Sequence, residues 1–284
     1  MTHKRNFKGI VFLLPSLVGF SVFYLIPFIM AFYYTVVDQG VNADFVGFTY
    51  YMQLFQNDIF IDALKNTVLF IGICVPISMM LSLVVAMGIK TLHHQKRLLQ
   101  CIVLMPMIIP TASIAFFWKE FFSLEGLLNR VLSIRGIEAI DWLNSQYALG
   151  VMIYIFIWKN IGYNTILFTA GLYSIPTTYY ESAAIEGANG IARFKYITWV
   201  YLLPTTVLVF IMSIINSFKV FKEIYLIAGG YPHESIYMIQ HYMNNMFLSL
   251  NYQKLSTAAY ILVTFILILM FILRLGQKGA DDEI

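Results

Sequence analysis

ESAAIEGANGIARFKYITWVYLLP, Glu181 to Pro204, is a polar stretch bearing Ala and Gly between two long apolar runs. The runs, Ala148–Leu172 and Thr205–Ala228, are each long enough to cross a bilayer, which takes about 20 mostly apolar residues. If both cross, the stretch between them is a hairpin held at one membrane face. Composition decides in favour of crossing. The 284 residues are 60% hydrophobic and 12% charged, with a mean hydropathy of +0.74. A soluble domain carries roughly 25% charged residues. A chain of this length cannot hide so much apolar surface from water, so lipid is its solvent.

Six spans are expected, roughly Ile10–Val37, Thr67–Ile89, Leu98–Trp118, Ala148–Leu172, Thr205–Ala228 and Thr257–Leu273. Spanning helices tolerate proline where neighbours satisfy the freed carbonyls, so Pro15, Pro27, Pro76, Pro106 and Pro110 predict kinked helices in an all-α bundle. The N-terminus places basic residues before its apolar run, as a signal peptide does. That run is longer than a signal core and no small-x-small cleavage site follows, so it is read as a retained span.

Six spans put both termini on one side. That side holds Lys4, Arg5, Lys8, Lys90, Lys96, Arg97, Arg193, Lys195, Arg274 and Lys278, which is ten basic residues. The other holds five: Lys65, Lys119, Arg130, Arg135 and Lys254. Lys159, Lys219 and Lys222 lie within spans and complete the 18. The positive-inside rule makes the ten-residue side cytoplasmic, so both termini and the Glu181–Pro204 hairpin face the cytoplasm of a multi-pass cell-membrane protein. The external connections 38–65 and 119–147 have room for short helices. SLEGLLNRVLSIRGIEAIDWL, Ser123 to Leu143, has amphipathic spacing suited to the outer interface.

Enzyme classes find no support. No HExxH, nucleophile elbow or paired-carboxylate motif occurs, so no catalytic or metal residues are assigned. His93 and His94 sit in a basic turn, and His3, His233 and His241 are scattered. Cys74 and Cys101, in or beside apolar runs without a CxxC, read as buried small hydrophobes. Nothing points to nucleic acid.

Within the hairpin, Pro176 ends the preceding span. Thr178 to Glu181, TYYE, reads as a capping box that opens a short helix. Gly187 and Gly190 break or bend it. A second segment runs through Phe194, Ile197 and Tyr201, and Pro204 is expected to start the fifth span. Small Ala and Gly residues let another surface approach closely. Two readings stay open on these grounds: a connector lying at the interface, or a docking knob for a cytoplasmic partner.

The stretch resembles the EAA loop of membrane subunits of ATP-binding-cassette (ABC) importers. Glu181, Ala183, Gly187 and Ile197 match that pattern. Ser182 replaces the first Ala, Val200 replaces a usual Pro, and Pro204 matches the later one. The resemblance extends along nearly the whole chain, through FLLPSLVGFSVFYLIPF, FVGFTYYMQLFQND, ALKNTVLF, LMPMIIPTASIAFFWKEFF, IWKNIGYNTILFTAGLYSIP and IYLIAGGYP. In the last, Tyr231 stands at the third position of the usual Gly-Gly-Gly-Pro. Together these motifs are similar to the MalF-like permeases of carbohydrate importers.

The resemblance implies a type I importer permease fold, with an N-terminal span and external loop over 1–66, a core permease domain over 67–275 with its EAA loop at 174–204, and a cytoplasmic tail over 276–284. It implies a second, MalG-like permease, two copies of a cytoplasmic ATPase and an extracellular solute-binding protein as partners. The chain has no G-x-x-x-x-G-K-[ST] loop, so ATP and Mg belong to the partner ATPases. Glu181, Ser182, Ala183, Ala184, Glu186 and Gly187 are the implied contacts to the ATPase. The implied cargo is a sugar or oligosaccharide. Glycerol phosphate, polysaccharide or peptide stays open, as does, more remotely, a secondary transporter.

Polar groups inside spans are costly and face the bundle interior. Asn216, Lys219 and Glu223 share one helix face, and Lys219 and Glu223 are spaced to pair. Trp158, Ile161, Gly162 and Thr165 form a second face on the fourth span, with Tyr163 and Asn164 beside it. In the corresponding subunit of the maltose transporter, substrate is held by the spans flanking the EAA loop. The resemblance therefore places Trp158, Ile161, Gly162, Thr165, Asn216 and Lys219 in the pathway walls. Lys219 either binds an anionic sugar or balances Glu223. Lys159 reads as a packing or interface charge rather than a ligand.

Overall fold

The computed structural model describes residues 7–38, 44–92 and 96–281; His3, Lys4, Arg5, His93 and His94 fall outside them. The described residues form helices α1 Phe7–Phe20, α2 Ile26–Val36, α3 Thr49–Phe55, α4 Asp58–Thr91, α5 Lys96–Ile108, α6 Thr111–Phe121, α7 Leu127–Ser133, α8 Ala148–Ser174, α9 Thr177–Ile185, α10 Gly190–Arg193, α11 Trp199–Lys219, α12 Phe221–Ala228, α13 Ile239–Leu248 and α14 Tyr252–Asp281. Among the described residues no strand occurs beyond one isolated bridge, Val37 with Phe45. Among the described residues, five helical stretches are long and apolar enough to cross a membrane, and a bent helix pair makes a sixth if the two halves count as one span.

The bent pair corrects the expected continuous span Leu98–Trp118. Residues 97–108 and 111–121 meet at 88°. Pro110 has no N–H to continue the ladder, and it pushes the residue before it out of the helical region. Pro110 itself is extended, with φ −55 and ψ 137, and α6 starts immediately after it. Pro27 acts more gently. A five-residue π turn, Ser21–Leu25, precedes it, and the Ile26 N–H bonds Ser21 O five residues back. The wider turn shifts the hydrogen-bond ladder by one residue just ahead of the proline, and the helix continues through it.

The chain divides into two compact units. One comprises 1–61 and 243–267. Within it the Tyr260 hydroxyl donates to Phe28 O at 2.5 Å, and its ring meets Phe28 at 4.9 Å and Phe32 at 5.4 Å. No residue in the apolar window of its first span is buried, which suits a helix facing lipid or another subunit.

The other unit comprises 62–242 and 268–284. Its centre is α8, which packs chiefly on α5 and α11. In lipid, apolar helices gain nothing by hiding from their surroundings, so close van der Waals fit holds them. Gly162 shows that fit: a Cβ there would sit 1.9 Å from Val103 O on α5. Asn164 donates to Ser78 Oγ of α4 at 3.2 Å and to Ser213 Oγ of α11 at 2.9 Å, a polar tie through the buried centre. Phe70 and Phe156 meet edge to face at 5.6 Å nearby. Cys74 is buried as expected, whereas Cys101 is exposed.

The amphipathic stretch 123–143 folds as α7 plus an extended return. Asn129 organises it: its amide donates to Ser123 O, Leu124 O and Ile140 O, while its oxygen accepts from Ile140 N and Trp142 Nε1.

Candidate functional site

Two places carry the polar residues singled out in the sequence: a cavity within the bundle and the hairpin between α8 and α11.

The cavity, about 190 Å³, lies among α5, α8, α11 and α12. Its polar lining is Lys159, Asn160, Asn216, Lys219 and Glu223, backed by Met107, Ile155, Phe156 and Val220. Lys159 Nζ forms an ion pair with Glu223 Oε1 and also donates to Thr111 Oγ1 at 3.3 Å. The two side chains are 20% and 5% exposed, so the pair is largely withdrawn from solvent. Glu223 Oε2 is buried and has no protein partner, which leaves an acceptor free. Lys219 Nζ donates to Asn216 Oδ1 at 3.0 Å.

The expected Lys219–Glu223 pair is therefore not formed. An i, i+4 pair needs a continuous helix, and the helix is interrupted between them. The Val220 N–H bonds Ser217 O, three residues back, at 3.3 Å, and α12 starts at Phe221. This tighter turn takes Glu223 off the row of Lys219 and onto Lys159. Lys159, read as a packing or interface charge, forms this inter-helix pair and also lines the cavity wall.

Of the six pathway candidates, Asn216 and Lys219 line the cavity and the other four do not. The Trp158 ring packs edge to face on Trp118 at 5.3 Å. Ile161 O accepts from Ser82 Oγ at 3.1 Å. Gly162 is pressed against α5, and Thr165 is fully buried with its hydroxyl directed at Ser82 O, 3.4 Å away. These four sit on the packing face of α8. The cavity face is made by two adjacent pairs, Ile155 with Phe156 and, one helical turn on, Lys159 with Asn160. Sequence reasoning passed over Asn160; an amide in an apolar run, one turn from Phe156, was its only signal.

The hairpin begins with α9. Its N-cap is Pro176, and no side chain caps it. The expected capping box is absent because α9 starts at Thr177, which puts Thr178 inside the first turn rather than at the cap. The far end is built as a Schellman motif. Ala188 N bonds Ala183 O at 2.8 Å, Gly187 N bonds Ala184 O at 3.1 Å, and Gly187 adopts φ +81. Such a positive φ is open to glycine without a steric cost. Gly190 breaks nothing: Asn189 caps the next helix by accepting from Ala192 N at 2.9 Å, and Gly190 is its first residue. That helix continues through a π turn, Phe194–Thr198, into α11, so Pro204 lies inside a helix instead of starting one.

Glu181, Ser182, Ala184, Glu186 and Gly187 are exposed and Ala183 is half-buried. Ile185 and Ile191, on either side of the Gly187 turn, are 88% and 80% exposed. Among the described residues no cluster of His, Cys, Asp or Glu has the makings of a metal site.

Residues 78–280 match the family model described as binding-protein-dependent transport system inner membrane component. The chain is 30% identical over 298 residues to the trehalose/maltose transport system permease protein MalF of Thermococcus litoralis, covering 99% of each chain. It is 28% identical over 274 residues to the lactose transport system permease protein LacF of Rhizobium radiobacter, covering 93% of this chain and 92% of that one. Its fold matches a bacterial ABC transporter involved in the import of the acidic polysaccharide alginate, with a TM-score of 0.82 and 24% identity over 98% of this chain and 96% of that one.

Proposed function

We propose, from the premise that this chain belongs to the family of binding-protein-dependent transport system inner membrane components, the following division of labour. The chain is a permease subunit of an ABC importer. It pairs with a second permease, receives cargo from a solute-binding protein outside and is driven by two cytoplasmic ATPase subunits, which bind the ATP and Mg. Both termini and the hairpin face those ATPases.

The hairpin is the coupling element, with Glu181, Ser182, Ala183, Ala184, Glu186 and Gly187 at the ATPase contact. The observation that carries this reading is the pair Ile185 and Ile191. Two large apolar side chains stand almost fully exposed on a polar connection between spans. An apolar tip on a rigid two-helix hairpin suits insertion into a cleft of a soluble partner. Closure of that partner then rocks the spans joined to the hairpin. Ile185→Asp places a charge at that contact. It is expected to abolish retention of the ATPase when the chain is purified from membranes. Full retention with unchanged uptake would overturn the reading.

The cargo is a sugar or sugar derivative, as the names of the relatives suggest, and the cavity bearing Asn216 and Lys219 is its path. Lys159, Asn160 and Glu223 join them as polar walls. The free acceptor Glu223 Oε2 suits a hydroxyl group. Trp158, Ile161, Gly162 and Thr165 hold the cavity wall in place from behind. A second reading, an anionic sugar, is favoured by the charge count: two ammonium groups face the cavity against one carboxylate.

A further inference from the structure

Lys90 lies at the end of α4, where a long cationic side chain ordinarily extends to the membrane interface. Here it turns inward. Its Nζ donates to Leu172 O at 3.0 Å and stands 4.8 Å from the centroid of the Tyr180 ring. Leu172 belongs to the last turn of α8, whose final carbonyls have no helical partner and carry partial negative charge. One ammonium thus closes the end of α8 and grips α9 through an aromatic face. The grip extends further. The Tyr180 hydroxyl shares a hydrogen bond of 2.9 Å with Thr198 Oγ1, and Thr198 is buried in the π turn that leads into α11. A small cleft lined by Met87, Lys90, Leu172, Thr177, Tyr180 and Thr198 encloses these contacts.

We infer that Lys90 and Tyr180 are positioning residues that set the angle of α9 against the bundle, so that motion imposed on α9 reaches α4, α8 and α11 together. The backbone alone does not fix that angle. α9 is joined to α8 only through Ile175 and Pro176, and at its other end by the Gly187 turn. The Lys90–Tyr180–Thr198 chain joins the first half of α9 to three spans at once, while the neighbouring Tyr179 ring, stacked on Tyr201 at 5.1 Å, reaches α11 alone. The inference rests on the reading of α9 as the coupling helix for its functional meaning, but its geometry is testable without an ATPase.

The full chain is placed in lipid nanodiscs on a Cys101→Ser background, with spin labels at Met80→Cys on α4 and Ile185→Cys on α9, both exposed. The unmodified clamp and Lys90→Arg are expected to give one narrow distance distribution. Lys90→Met removes both contacts of the ammonium, and Tyr180→Phe removes the Thr198 bond alone. Each is expected to broaden the distribution, Lys90→Met the more. A Lys90→Met distribution that superimposes on the parent's overturns the inference.

In the assembled importer in proteoliposomes, the readout is the ratio of Mg-ATP hydrolysis with and without the solute-binding protein. Lys90→Met is expected to lower that ratio about fivefold, the equivalent of about 1 kcal/mol, and Lys90→Arg to restore it. A purely structural role would reduce the amount of importer and leave the ratio unchanged, which also overturns the inference. If Ile185→Asp keeps its ATPase, the coupling reading fails while the distance measurement still judges the clamp.

Discussion

Lys159 of α8 and Glu223 of α12, 64 positions apart, meet as an ion pair inside the bundle, with Thr111 of α6 as a further acceptor for the lysine. Three helices are thereby joined at the wall of one cavity. Taking two charges out of solvent is costly, and their attraction offsets the cost only while both are present. Removing one partner leaves a buried, uncompensated charge. Lys159→Met and Glu223→Leu are each expected to destabilise the chain by about 3–5 kcal/mol. The double variant is expected to recover most of that loss. A thermal-unfolding double-mutant cycle in detergent measures the coupling; additive single losses would show that the pair does not act as a unit.

The approach of α5 to α8 at Gly162 makes a second, purely steric prediction. A methyl group there would overlap Val103 O, a backbone atom that cannot swing aside. Gly162→Ala is expected to lower the unfolding temperature by several degrees through a loss of about 1–3 kcal/mol. Gly88 of α4 is the control, because a methyl group at that position would meet nothing within 4 Å. Gly88→Ala is expected to be neutral or slightly stabilising, since alanine is the better helix former. Equal effects at the two sites would mean that α5 and α8 are not held at this distance.

Much of this architecture is legible in the sequence, because a span is a local property: about 20 apolar residues announce themselves wherever they lie. The hairpin is legible for the same reason, as a polar gap between two such runs. What the sequence hides is non-local. Lys219 and Glu223 have pairing spacing on an ideal helix, and only the tight turn at Val220 and the arrival of Lys159 from another span redirect the carboxylate. Likewise the 88° bend at Pro110 needs a choice between a kinked helix and a broken one, and proline permits either. On α8, one helical face reads like the other in a run this apolar, so Trp158 and Thr165 look as suited to a pathway as Lys159 and Asn160. Asn129, which gathers five hydrogen bonds around one loop, has no sequence signal beyond being an asparagine.

The pathway residues separate by charge. Asn216→Leu removes the Lys219 acceptor and a polar wall without touching the Lys159–Glu223 pair. It is expected to cut uptake about tenfold or more while the importer still assembles, as loss of a hydrogen bond to a charged group worth about 1.5–3 kcal/mol would do. Lys219→Met adds discrimination: it is expected to impair import of an anionic sugar much more than that of a neutral one. Uptake assays with paired neutral and acidic oligosaccharides measure both. Unchanged uptake kinetics for Asn216→Leu would remove it from the path.

The last prediction concerns pH and lies outside the spans. His241 on α13 is fully buried, with its ring edge-on to Phe221 at 4.8 Å and its Nδ1 accepting from Met238 N at 3.2 Å. Burial disfavours the charged imidazolium and pushes the pKa down to about 4. The unfolded histidine titrates near 6.5. Above that value both states are neutral and the packing is fully stable. As pH falls from about 6.5 towards 4, the unfolded state takes up a proton that the folded state refuses, so stability is lost over that window. Protonation of Nδ1 would also forfeit the Met238 bond that holds the start of α13. Hydrogen exchange of the α13 amides is therefore expected to accelerate between about pH 6.5 and 4, beyond the intrinsic pH trend. His241→Phe, which keeps an aromatic ring but cannot titrate, is expected to flatten that dependence. A variant that retains the full acid sensitivity would assign it to another group.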